Sequence, residues 1–167
     1  MRLLFLFCIL SMLAGFFLFS ETIFVYVEEI DSGATLDFPF REGLFNGLFL
    51  RNHIVFDDTQ SDYRIEWEKE NFKNLVDSAA DGGARFLIAV RVVSRSAPFK
   101  ETLRSIKSQA WYYCIEVQRE LLVEEGELEG DNWGQEAVMD GEALNLLLGE
   151  KLAAIVDKIC QNPIWRL

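Results

Sequence analysis

The chain is poor in the residues on which most hydrolytic and metal chemistry depends. Its 167 residues contain one histidine, His53. With no second histidine, the paired-imidazole ligand sets of zinc hydrolysis are not available. None of the mature chain's serines, Ser32, Ser61, Ser78, Ser94, Ser96, Ser105 and Ser108, stands in G-x-S-x-G or S-x-x-K. Ser105-Ile-Lys-Ser108 misses the latter by one residue. Asp81-Gly-Gly83 is too short to cradle a phosphate and lacks a following lysine, so it reads as a helix stop. Basic residues are scarce: 16 Lys+Arg stand against 27 Asp+Glu, a formal net charge of -11. An acidic body repels phosphate backbones and anionic lipid, which argues against nucleic-acid binding and serves solubility. No internal repeat or low-complexity tract is present. No catalytic signature, cofactor or metal is expected from the sequence.

What the chain does have is an export segment. Arg2 is the only charge among the first twenty residues, and an apolar run from Leu3 to Phe19 follows it, broken only by Ser11 and Gly15. A lone cation before an apolar stretch, with acid after it, holds the N-terminus inside while the remainder is exported. The run is near the lower limit of about 17 residues for a spanning helix and longer than the roughly 7–15 of a secretory signal. Residues 1–20 therefore read as a signal peptide or signal anchor. Ser20 suits the position before a cut, although Leu18 is bulky where a small residue is preferred. Cleavage is the favoured reading, with an inner-membrane signal anchor as the alternative. Lipidation is disfavoured because Cys8 follows the bulky Phe5-Leu6-Phe7 and comes too early. Residues 21–167 then form a single acidic domain in the periplasm or cell envelope, touching membrane only if the first segment is retained. Two cysteines remain. Cys114 lies in an apolar strand-like run and Cys160 at the end of an amphipathic helix, so two buried thiols are favoured over a disulfide. Their wide spacing excludes a compact metal knuckle.

Along that domain, Thr22 to Val27 is rich in β-branched and aromatic residues and predicts a strand buried on both faces. Asp31 to Ala34 is turn chemistry. Phe40, Leu44, Leu48 and Leu50, with Phe45 and Phe49, predict a helix that Thr35 or Asp37 could cap and that stops near Arg51-Asn52. His53 to Phe56 predicts a short strand. Phe72, Leu75, Val76 and Ala79 predict a second helix, ended by Asp81-Gly82-Gly83. Arg85 to Val93 is the clearest strand, followed by a loop over Ser94 to Lys100. Residues 101–125 fit either helix or strand, with strand favoured from Ala110 to Val123. Gly126 to Gly134 reads as an acidic loop or hairpin end. The last helix ends before Pro163, and Ala143, Leu147, Ile155 and Ile159 are expected to form its buried stripe. The expected fold class is α/β (α+β): a single mixed sheet in the order β-α-β-α-β-β-(β)-α with helices packed on it.

This order, with Asp81-Gly-Gly-Ala-Arg-Phe-Leu-Ile-Ala-Val leading into the central strand and Asp140-Gly-Glu-Ala-Leu-Asn opening the closing helix, resembles a bacterial envelope α/β domain. That domain occurs in the N-terminal part of the Tol–Pal propeller protein, the penicillin-binding-protein activator lipoproteins, the curli-secretion lipoprotein and the flagellar T-ring protein. The resemblance spans about residues 22–160. It implies a non-enzymatic module that docks on, or assembles, other envelope proteins. The chain departs from the group in its long acidic closing strands and in lacking a lipobox cysteine.

Three local features compete for a functional role. Glu125, Glu127 and Glu129, with Gly130 and then Glu136, match the ligand spacing of a calcium-binding EF-hand loop. Position one lacks the usual Asp and position eight is Asn132, so a solvated acidic loop is the favoured reading. His53 is followed by Asp57, Asp58 and Asp62. A His–carboxylate pair could act as a base or metal ligand, but a partly exposed structural histidine is favoured. Trp67 and Trp133 stand in polar surroundings and Trp165 in the tail, and tryptophan is enriched at interface hot spots. The expected function is an exported envelope protein acting by protein–protein contact, with Trp133 and Glu125, Glu127, Glu129 and Glu136 as binding residues. The alternatives are an exported hydrolase using His53 with Asp57 or Asp58, and a small-ligand or metal-binding periplasmic domain.

Overall fold

The computed structural model describes residues 20–31, 39–57, 67, 71–99, 103–131 and 141–166. Strand β1 (Thr22–Asp31) is followed by α1 (Pro39–Phe49), β2 (Ile54–Phe56), α2 (Lys73–Asp81), β3 (Phe86–Phe99), β4 (Leu103–Glu116), β5 (Leu121–Asp131) and α3 (Gly141–Gln161). A short 3₁₀ turn, Pro163–Arg166, closes the described chain. The five strands form one sheet in the order β2-β1-β3-β4-β5. β1 runs parallel to β2 and β3, while β3–β4 and β4–β5 are antiparallel. The expected α/β order holds, including the third closing strand.

The central strands are apolar on both faces because both faces are covered. Ile23, Val25, Phe86, Ile88, Val90, Val92, Ala110, Tyr112 and Cys114 face α1 and α3. Phe24, Leu87, Ala89 and Ile115 face α2, which buries Leu75, Val76 and Ala79 against them. Helices α1 and α3 touch each other at glycines. A Cβ on Gly43 would collide with the carbonyl of Leu146, and one on Gly149 with the carbonyl of Phe40.

Both early helices end in a Schellman motif, which satisfies orphan carbonyls and requires a left-handed residue. After α2, Gly83 takes φ +73°, while Gly83 N–H reaches Ala80 and Ala84 N–H reaches Ala79. Asp81-Gly82-Gly83 is thus the predicted helix stop. After α1 the left-handed residue is Asn52, at φ +65°, and His53 N–H donates to the Leu48 carbonyl.

Four expectations change. Ser94 to Phe99 is strand, not loop, because β4 pairs with it as far as Phe99–Leu103. The segment from Ala110 to Val123 is not one strand, since the chain reverses at Val117–Glu120. Residues 126–131 are strand rather than acidic loop. The buried stripe of α3 keeps Ile159 but is otherwise displaced by one position: Leu144, Leu148, Leu152, Val156 and Ile159 are buried, whereas Ala143, Leu147 and Ile155 are half-exposed. The proposed caps Thr35 and Asp37, most of the Asp31–Ala34 turn and the export segment lie outside the described residues. Among the described residues no helix is long and apolar enough to cross a membrane.

Candidate functional site

His53 is placed by the α1 terminus and is only 3% exposed. Its Nδ1 accepts the Glu21 backbone N–H at 3.3 Å, so the ring carries its proton on Nε2, which faces Asp157 Oδ1 at 3.1 Å. Gln161 Nε2 donates to the same oxygen at 2.9 Å, and Arg51 Nε lies 3.9 Å from Oδ2. The histidine therefore ties the start of β1 to the last turns of α3. Its carboxylate partner is Asp157, remote in sequence and not among those expected. Asp57 is instead ion-paired with Arg41, and Asp58 and Asp62 lie outside the described residues. The expectation of a partly exposed histidine is corrected by its burial. With both ring nitrogens engaged inside the protein, His53 offers no open valence to a substrate, which leaves the hydrolase reading without its base.

Two of the serines are equally occupied. Ser94 and Ser108 face each other across β3 and β4 at 3.0 Å between hydroxyls. The amide of Asn145, from the Asp140-Gly-Glu-Ala-Leu-Asn segment, donates to Ser94 at 2.9 Å. This buried network joins the sheet to α3. Cys114 and Cys160 are both buried on the same side of the sheet and are not joined by a disulfide. Burial first, then the neighbouring Cys160 and Glu124, pushes the Cys114 thiol well above its ordinary pKa.

On the opposite face α2 covers only part of the sheet. Beyond it, Trp67, Arg91, Val93, Arg95, Trp111 and Tyr113 line an open groove of about 360 Å³. Trp67 is not the exposed aromatic that its polar surroundings suggest. It is half-buried, with ring centroids 5.8 Å from Phe72, 6.2 Å from Tyr113 and 6.5 Å from Tyr26. Among the described residues its indole N–H finds no acceptor. Arg91 Nε lies 3.3 Å from Glu28. Sequence reading missed this groove, because its arginines alternate with apolar residues along β3 and its rings come from distant segments.

The glutamates singled out in the sequence lie on β5, the sheet's long outer edge. Glu125, Glu127 and Glu129 stand opposite Tyr113, Trp111 and Gln109 of β4 and are exposed. Alternate residues of a strand share a face but stand roughly 6.5–7 Å apart. A calcium loop of this kind wraps its ligands around the ion and turns sharply at its glycine, whereas residues 125–131 are extended and paired with β4. The structure thus replaces the calcium-loop geometry with an acidic stripe. Gln109 donates to Glu127 at 3.1 Å and to Glu129 at 2.8 Å, and Lys107 lies 3.6 Å from Glu129. Among the described residues no group of three or more His, Cys, Asp or Glu side chains could hold a metal. Trp133 and Glu136 follow β5 in sequence but lie outside the described residues. On the helix side of the same edge, Val123, Glu124, Ile155, Lys158, Ile159 and Asn162 line a groove of about 450 Å³ between β5 and α3.

No protein-family model matches the chain, and no curated protein matches its sequence. Solved structures do match its fold. A hypothetical protein from Chlamydia trachomatis aligns over 86% of this chain and 99% of its own at a TM-score of 0.57, with 11% identity. PelC from Paraburkholderia phytofirmans, crystallised as a dodecamer, aligns over 81% and 89% at 0.50, with 13% identity. TolB from Acinetobacter baumannii gives a weaker likeness, at 0.47 and 8% identity over 85% of this chain and 28% of its own. The likeness to the first two structures is one of fold alone.

Proposed function

We propose that this chain is an exported, non-catalytic module of the bacterial cell envelope that acts by protein–protein contact through β5. The observation that carries this reading is that, among the described residues, no strand lies beside β5 on its outer side. An eleven-residue strand ends the sheet, presents a stripe of three exposed glutamates, and begins with Leu121 and Leu122, each 43% exposed. Edge strands offer unpaired backbone groups to other chains, and acidic side chains on them select against indiscriminate pairing. Trp133, two residues past the end of β5 in sequence, is the aromatic anchor proposed for the same contact. The export signal and the fold-level likeness support an envelope address. The net charge of -11 argues against nucleic acid as the partner, and membrane contact is confined to an uncleaved N-terminal segment.

The test is the variant Glu125→Lys/Glu127→Lys/Glu129→Lys in intact cells. These are exposed side chains, so its melting temperature should stay within a few degrees of wild type. Chemical cross-linking should then show loss of the adducts that the wild-type chain forms. Unchanged adducts with an unchanged melt would contradict β5 as the contact surface.

A further inference from the structure

Resting on that reading, we infer that the β5 edge takes an extended partner segment as a sixth strand, one in which lysine or arginine alternates with apolar residues. A strand added to β5 would alternate its own side chains between the two faces of the sheet. On one face they would stand beside Glu125, Glu127 and Glu129, a row with the same two-residue period as the strand that would read it. On the other face they would meet the groove between β5 and α3. Ile155 and Val123 are half-buried there and pack against the core, and Ile159 is buried. One face of the added strand is therefore specified as cationic and the other as apolar.

A second copy of this chain fits poorly as the occupant. Pairing β5 with β5 sets glutamate rows beside each other, and like charges opposed across strands are destabilising. Gln109 and Lys107 already hold two of the glutamates, but one lysine against three carboxylates leaves the stripe net negative. Glu124 faces the groove from β5 and Lys158 from α3, so that wall is close to neutral and its apolar residues set the preference.

The experiment titrates the full chain with the acetylated and amidated peptide Lys-Val-Lys-Ile-Lys-Val-Lys. Two controls accompany it: the same composition in block order, and the same sequence N-methylated at alternate residues. The alternating peptide is expected to bind at least tenfold more tightly than either control and to slow amide exchange in β5 but not in α2. The triple lysine variant should lose at least tenfold. Equal binding of all three peptides would end strand addition while leaving β5 a simple charge-contact surface. Binding that survives in the triple variant would overturn the cationic occupant. A stable dimer in sedimentation that the peptide does not dissociate would assign the edge to a second copy. Loss of cellular adducts in that variant, together with equal peptide binding, would keep the broader reading and reject this one.

Discussion

At the scale of single residues, burial decides which chemistry is switched off. Cys114 is held as a neutral thiol by desolvation, with Cys160 and Glu124 opposing its ionisation. Tyr26 and Tyr112 are raised in the same direction, first by burial and then by Glu28 and Glu124 respectively. A group whose folded pKa is raised binds more protons in the folded chain than in the unfolded one. Its stabilising effect is complete below the unfolded value and is lost as pH climbs past it. An unfolded cysteine ionises near about pH 8.5 and a tyrosine near about 10. Urea denaturation should therefore show stability falling above roughly pH 8.5, with a limiting slope of about 1.4 kcal/mol per pH unit for one group. Cys114→Ala should make the fall between pH 8.5 and 9.5 shallower than in wild type, whatever it does to stability at pH 7. An identical slope would mean that the thiol is not held protonated by the fold.

At the scale of elements, close approach explains both what the sequence reveals and what it conceals. The β1, α1, β2, α2 and β3 starts were legible because hydrophobic period and helix-stop chemistry agree there, as at Gly83. The hairpin at Val117–Glu120 was hidden because it contains none of Gly, Asn, Asp or Pro. Glu116 makes the turn instead, its carboxylate accepting the Arg119 N–H at 2.9 Å, while Glu120 takes φ +51°. Residues 126–131 of β5 read as a loop because of Gly126 and Gly130, which serve packing rather than turning. A Cβ on Gly126 would strike the Tyr112 ring, and one on Gly130 would strike Leu144. Three of the four expected stripe positions on α3, Ala143, Leu147 and Ile155, lie one position away from the buried face because Leu146, Leu147 and Leu148 are consecutive, and hydropathy does not choose among them. The packing of α1 on Gly149 does. Alanine is favoured over glycine within a helix by about 1 kcal/mol, so Gly149→Ala would stabilise an uncrowded α3. The backbone of α1 occupies the place of that methyl, and overpacking costs typically about 1–3 kcal/mol. Gly149→Ala is thus expected to lower stability by up to about 2 kcal/mol in denaturant melts, and an increase would show that α1 and α3 stand further apart than described.

At the scale of the molecule, fold and site differ in how much of each the sequence reveals. Fold class and strand–helix order were legible because they follow from pattern. The site was legible only in composition. Glu125, Glu127 and Glu129 stand out in composition, but their geometry as a strand-edge stripe depends on pairing with Tyr113, Trp111 and Gln109, which no local pattern encodes. Asp157 as the partner of His53 was invisible for the same reason, being 104 residues away in sequence. The molecule that results has one helix-covered face, one partly covered face with an arginine–tryptophan groove, a three-residue edge at β2 and a long acidic edge at β5. Contact through that long edge is the central claim. Its most direct measurement is site-specific photo-cross-linking in living cells, with the reactive residue placed at Glu127 on β5 or at Asp77, which is exposed on α2. The account predicts a discrete adduct from position 127 that disappears when Glu125 and Glu129 are both changed to lysine, and none from position 77. Adducts of equal yield from both positions, or a position-127 adduct indifferent to the lysines, would contradict it.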